Sequence, residues 1–347
     1  MKNLKYTFII LVIFLKTGNV LSEINLFNVN NIEIINNSST NNETLANRAI
    51  KKGYSELVKR ILLNDDLEKV GNLDFASIKS LVSYYQVVNE EENLGKSTTV
   101  FNVSFDKNKI HDLFYQKGIS YSDIIKNEFY LLPIFKKESQ LYIYSQNYFY
   151  EKWNEIDKNE LVEFILPIEN IETIQKINFN KNNLLNIDIR NLFQEYSNKN
   201  LALVFIEDSN STEEKIFIKT NILGKTINKQ IIVKKLNLSD EKFYKKIIIE
   251  VRNEIINLAK SQNLIDVRTP SFINTRFELD KNNNLVELNN RINKIDLIES
   301  IYVQELNNEY VLLKIKYLGK INKIIEQLKN QKIILRLSGE NWSLKII

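Results

Sequence analysis

At 347 residues, with 44% apolar and 26% charged side chains, the chain has the composition of a folded protein of two or three domains, which excludes global disorder. It has no cysteine, and so no disulfide, thiolate metal site, cysteine nucleophile or lipidated cysteine anchor. The formal charge of +4 falls to +1 once Lys2, Lys5 and Lys16 are assigned to a removed leader, which leaves no electrostatic case for nucleic acid as a partner. Asn, Ile and Lys are over-used throughout, as in an AT-rich coding sequence, so a single Lys or Asn carries little information.

The N-terminus reads as an export signal. Lys2 and Lys5 form a positive start, and residues 6–15 are an apolar run of ten. Val20 and Ser22 then occupy the two small-residue positions of a signal-peptidase site, which places cleavage between Ser22 and Glu23. Ten residues of helix rise only about 15 Å, half of a bilayer core, and Lys16 interrupts the run. The segment is therefore expected to be a cleaved signal peptide, 1–22, and the mature chain to have no transmembrane segment. The expected address is the periplasm.

The pattern beyond Glu23 predicts an α+β protein of serial α/β modules. A strand is expected over 31–35, a helix over 42–64, a short helix over 75–81, and strands over 81–88 and 98–105. In the last of these, Thr99, Phe101, Val103 and Phe105 share one face. A helix over 107–116 points Ile110, Leu113 and Phe114 inward and ends at Gly118. Strands over 129–135 and 140–144 and a short helix over 149–156 complete an N-terminal domain assigned to 23–157.

A middle domain, 160–266, is expected to contain strands over 161–168 and 202–207, a helical stretch over 188–197, a hairpin of 216–220 with 227–233, and a long helix from Ser239 to Ser261. That helix carries the stripe Phe243, Ile247, Val251, Ile255 and Leu258. After Pro270, the order strand, helix, two strands, helix and closing hairpin predicts a C-terminal ferredoxin-like domain over 271–347 with one extra strand. This last module is expected to fold alone.

Catalytic motifs fail on inspection. His111 is the only histidine, beside inward-facing positions on a short helix; its replacement by alanine is expected to leave function intact and to cost at most a packing change of about 1 kcal/mol. Asp280 to Asn284 lacks the glycine and terminal acid of a calcium loop. Glu90, Glu91 and Glu92 read as a solvated turn rather than a carboxylate pair. The lysine pairs at 234–235 and 245–246 read as solvated faces. Aromatic clusters stand at 84–85, 129–130 and 142–150, where core packing competes with a recognition surface. No metal or cofactor is expected.

Several short segments resemble the exported proteobacterial proteins of domain of unknown function family 2066. They are Arg48-Ala49-Ile50, Leu57-Val58-Lys59-Arg60-Ile61-Leu62, Val100-Phe101-Asn102-Val103-Ser104-Phe105-Asp106, Leu131-Leu132-Pro133-Ile134 with Trp153, Lys316-Tyr317-Leu318-Gly319 and Gly339-Glu340-Asn341-Trp342. The resemblance implies an envelope address and no known activity. The function expected is a non-enzymatic module of envelope assembly or maintenance, with another envelope protein as partner. The alternatives are a carboxylate-based, glycosidase-like hydrolase and a small-ligand-binding periplasmic protein.

Overall fold

The computed structural model describes residues 25–36, 41–93, 96–124, 127–156, 161–209, 212–280, 284–338 and 341–347. The expected cleavage site at Ser22 and Glu23 lies outside them. The first elements are β1 (Asn28–Asn36), α1 (Asn42–Ile61), α2 (Leu67–Gly71), α3 (Phe75–Ser80), β2 (Val82–Asn93), β3 (Lys96–Phe105), α4 (Lys107–Lys117) and β4 (Ser120–Ser122). The three long strands form an antiparallel sheet in the order β1-β3-β2. Asn41 caps α1 by accepting from the Thr44 amide, and the helix lays Leu45, Ala49, Leu57 and Ile61 on the sheet. Gly53 makes that approach close: a β-carbon there would stand 2.8 Å from the Ile32 side chain on β1. Thr99, Phe101, Val103 and Phe105 point inward as the alternation predicts, and Gly118 ends α4 in the left-handed region at φ 64°.

The chain then leaves this sheet for a second unit: β5 (Asn127–Lys137), β6 (Gln140–Tyr142), α5 (Tyr148–Lys152), β7 (Val162–Ile165), α6 (Ile171–Phe179), α7 (Ile189–Leu192), β8 (Asn200–Asp208), β9 (Glu213–Ile222), β10 (Lys225–Lys234) and α8 (Asp240–Ser261). Its sheet runs β10-β9-β8-β5-β6, with β7 also paired to β5. β5 and β8 are parallel, from Phe129 opposite Asn200 to Lys137 opposite Asp208. The expected boundary at 157–160, itself outside the described residues, therefore falls within a unit. β5 and β6, expected in the first domain, belong to the sheet of the second. The pairing partner of β5 lies some seventy positions downstream, which local periodicity does not reveal.

α8 packs its predicted stripe on one face of this sheet, together with Trp153 and Phe149. Segment 171–196 packs Ile177, Leu184, Ile189, Leu192 and Phe193 on the other.

The return path explains the architecture. β11 (Leu264–Asp266) pairs antiparallel with β4, Ile265 opposite Tyr121, so a two-stranded neck brackets the second unit. That unit is an insertion in a discontinuous first body.

The chain continues with β12 (Ser271–Glu278), α9 (Leu285–Ile292), β13 (Ile298–Leu306), β14 (Tyr310–Tyr317), α10 (Ile321–Asn330), β15 (Ile333–Ser338) and β16 (Asn341–Ile346). The element order is the expected one. The sheet order is β13-β14-β12-β16-β15. In a split β-α-β module the strand after the second helix returns beside the first strand. Here β15, which follows α10, is displaced to the edge, and β16 takes the inner place, parallel to β12. The core of this C-terminal part is continuous with that of residues 26–121: Ile110, Phe114, Tyr121 and Ile265 share one cluster with Leu297, Ile298, Leu318 and Ile324.

Candidate functional site

Residues remote in sequence meet where the C-terminal part joins the first body. His111, on α4, is 6% exposed. Its Nδ1 lies 3.1 Å from Oε1 of Glu299 on β13, and its Nε2 lies 3.1 Å from the hydroxyl of Tyr121 on β4. A carboxylate only accepts, so Nδ1 donates to Glu299, and a neutral ring leaves Nε2 to accept from Tyr121. Lys316 stands 3.3 Å from the other Glu299 oxygen. The hydrogen bond from His111, helped by Lys316, pulls the Glu299 carboxyl down to about 2. Burial pushes the Tyr121 phenol well above its ordinary range. Lys107 donates to the Ile298 carbonyl at 3.2 Å, and its amine is lowered by burial.

This chain of carboxylate, imidazole and hydroxyl has the connectivity of a proton relay. Its terminal hydroxyl is sealed, however, with Tyr121 1% exposed and ringed by Phe27, Phe114 and His111. A general base needs a substrate within reach. The network therefore acts as a cross-link, and His111 is more than a packing residue. His111→Ala leaves the Tyr121 hydroxyl buried without this partner, and is expected to cost about 1–3 kcal/mol rather than about 1.

Glu299 also sets an acid signature. Its folded pKa lies below its ordinary value of 4.5, so its contribution is complete above pH 4.5 and lost as pH falls toward 2. Glu299→Gln should flatten the loss of stability across that window in urea titrations. An unchanged slope would mean that the carboxyl is not held by His111 and Lys316.

A second seam ties the inserted unit to α1. Lys260, at the end of α8 and 4% exposed, donates to the carbonyls of Lys59 and Leu62, the latter at 2.9 Å. These carbonyls close the C-terminus of α1, where backbone acceptors lack helical partners. Burial lowers the Lys260 amine to about 8. Asn257 accepts from the Asn64 amide beside it. A cleft of about 830 Å³ opens along this seam, with Arg60 and Glu56 on one side and Glu250 and Asn253 on the other.

The third feature is a strand edge. β2 pairs with β3 alone among the described residues. Tyr85 stands opposite Val103 and Val87 opposite Phe101, and cross-strand neighbours share a face. Val103 and Phe101 are buried beneath α1, yet Tyr85 and Val87 are 48% and 54% exposed. The apolar face thus runs out from under its helix. Tyr84 and Val88 are also about half exposed, and bulges bracket the regular stretch 84–87.

The other predicted positions sort plainly. Phe129 is core, Tyr130 stacks on Tyr196 at 4.0 Å, and Tyr142, Tyr148 and Phe149 pack with Phe135 and Tyr244. Of the three aromatic clusters, only 84–85 faces solvent. Glu90 to Glu92 continue β2 rather than forming a turn. Lys235 pairs with Asp240, Lys245 pairs with Glu241, and Lys246 donates to the Lys234 carbonyl, as expected of solvated faces. Residues 281–283 of the calcium-like loop lie outside the described residues, and Asn284 caps α9 through the Glu287 amide. Among the described residues no group of three or more acids or histidines is placed to hold a metal, and no helix is long and apolar enough to cross a membrane.

No protein-family model matches the chain. No curated protein matches it. A solved structure described as "Crystal structure of uncharacterized protein" aligns over 40% of this chain and 94% of its own, at 8% identity and a TM-score of 0.17. A superposition that loose does not establish a common fold.

Proposed function

We propose that this chain is an exported envelope protein that binds another envelope protein by accepting a partner strand along β2. The observation that carries the reading is the uncovered edge: Tyr85 and Val87 extend a buried apolar face into solvent on a strand whose outer backbone has no partner among the described residues. Soluble monomers blunt or cover such edges, and an added strand supplies main-chain hydrogen bonds plus alternate side-chain contacts. The bulges at each end limit the docking stretch to about four residues, which fits a short, exchangeable contact.

Export rests on the order of positive start, apolar run and small-residue site ending at Ser22, with Glu23 as the first mature residue. The similarity of short segments to domain of unknown function family 2066 belongs to the same reading. So does the description of residues 271–347 as a ferredoxin-like variant with an inserted last strand.

Val87→Lys places a charge at the C-terminal end of the docking stretch while altering a half-exposed side chain, so stability should change by less than about 0.5 kcal/mol. The variant should be released by osmotic shock with Glu23 at its N-terminus, like the parent, and should lose the partner that the parent retains on purification from the envelope. Equal retention by the variant and a chain of unchanged fold would remove β2 as the contact.

A further inference from the structure

The inserted sheet is covered unequally on the face opposite α8. Segment 171–196 buries Leu132, Leu201 and Leu203, but β9 and β10 extend past that cover. Register fixes what they present. One row crosses four strands as Ile134, Phe205, Phe217 and Gln230; the next reads Leu132, Leu203, Lys219 and Asn228. Each row passes from apolar under the cover to polar at the open edge. A pocket of about 340 Å³ lies at that transition. Its floor is Phe205 and Phe217, both partly exposed, with ring centres 6.4 Å apart and planes at 35°. Its wall is Leu184 and Leu185.

The polar groups around this floor narrow the ligand. Lys219 donates to the carbonyls of Leu185 and Ile187, at 3.0 and 2.7 Å, so its charge fastens the wall to the sheet. Lys229 lies 3.6 Å from Glu254. The two cations are engaged, which disfavours an anion. The remaining rim is the amides of Asn186, Asn228 and Gln230, each able to donate and to accept. Asn186 already donates to Asn183, but a wholly apolar ligand would bury the Asn228 and Gln230 amides without partners. A ligand with one flat apolar face and a neutral rim of hydroxyls satisfies both floor and rim. That description is of a sugar ring, whose C–H face rests on the negative face of an aromatic side chain.

We propose that this shelf binds a neutral saccharide, one ring lying on Phe217 and its hydroxyls bonded by Asn228 and Gln230. The site is on the inserted unit and is independent of β2.

The test is a chemical-shift titration of the full chain with cellobiose and with N,N′-diacetylchitobiose. At least one should give saturable amide shifts confined to residues 184–186, 203–205, 217–219 and 228–230. Phe217→Ala should weaken binding about tenfold or more, and the exposed substitution Gln230→Ala severalfold, each with an otherwise preserved spectrum. Either of three results overturns the proposal: no saturable shift with both sugars at a dissociation constant tighter than about 10 mM; saturable shifts elsewhere on the surface; or parental affinity in both folded variants.

Discussion

Residues 127–261 expressed alone should show a cooperative urea transition, and residues 271–347 expressed alone should show none. The inserted unit covers both faces of its sheet with its own segments, α8 on one and 171–196 on the other, so excision opens little of its core. Its ends are also held together in the intact chain by the β4–β11 neck, the arrangement that makes an inserted domain separable. The C-terminal segment is different. Its periods and turns predict an independent module, but its core continues through Ile265 into Ile110, Phe114 and Tyr121. The contacts of Glu299 with His111, of Ile298 with Lys107 and of Lys323 with Asp123 all cross the cut. A single core of that size supplies about 3–5 kcal/mol without staples, and exposing even two buried aliphatic side chains removes about 3–6 kcal/mol. Dispersed amide signals and a sharp transition for 271–347 alone would show that its core closes without the first body.

Lys260→Met should abolish a rise in stability between pH 8 and about 10. The amine is lowered by burial from 10.5 to about 8, so between those values the unfolded chain holds a proton that the native chain lacks. Stability therefore rises with pH across the window, by about 3 kcal/mol if the whole interval is traversed. Below pH 8 the native state carries the full penalty of a buried ammonium. Above pH 10 the buried phenol of Tyr54, pushed up to about 12, works the other way: the unfolded chain ionises first and stability falls. The informative window thus ends near pH 10. At pH 7 the methionine variant gains by losing the buried charge but leaves the Lys59 and Leu62 carbonyls without this donor, at about 1–3 kcal/mol for each group left unsatisfied. The slope, measured by urea denaturation at several pH values, is the decisive quantity. A parental slope in Lys260→Met would mean that the amine is not the titrating group.

Local order was legible wherever one face is buried. The stripe of α8 and the alternation of Thr99, Phe101, Val103 and Phe105 follow from period alone, and Gly118 from the left-handed cap it occupies. α6 escaped because Ile171 and Phe179 are 73% and 90% exposed, so its apolar residues mark no single buried face. Long-range pairing escaped for a different reason. Nothing near Phe129 announces a parallel partner at Asn200, and nothing near Ser120 announces β11, so the insertion looked like a serial arrangement.

The site was partly legible. The pair Tyr84 and Tyr85 beside Val87 and Val88 places apolar residues on both faces of one strand, a pattern that fits either a doubly buried strand or an edge awaiting a partner. Only the sheet order distinguishes them. The opposite holds at His111: its place beside the inward-facing Ile110 and Leu113 is visible in the sequence, but Glu299, 188 residues away, is not.

β2 is the proposed docking edge, and crosslinking in the cell tests it most directly. A photo-crosslinking amino acid placed in turn at Tyr85, at Val87 and at Ile249, an exposed position on α8, tests it in intact cells. The first two positions should each yield the same single crosslinked protein, and Ile249 should not yield it. Absence of a crosslink at both β2 positions, or the same product from Ile249, would contradict the claim.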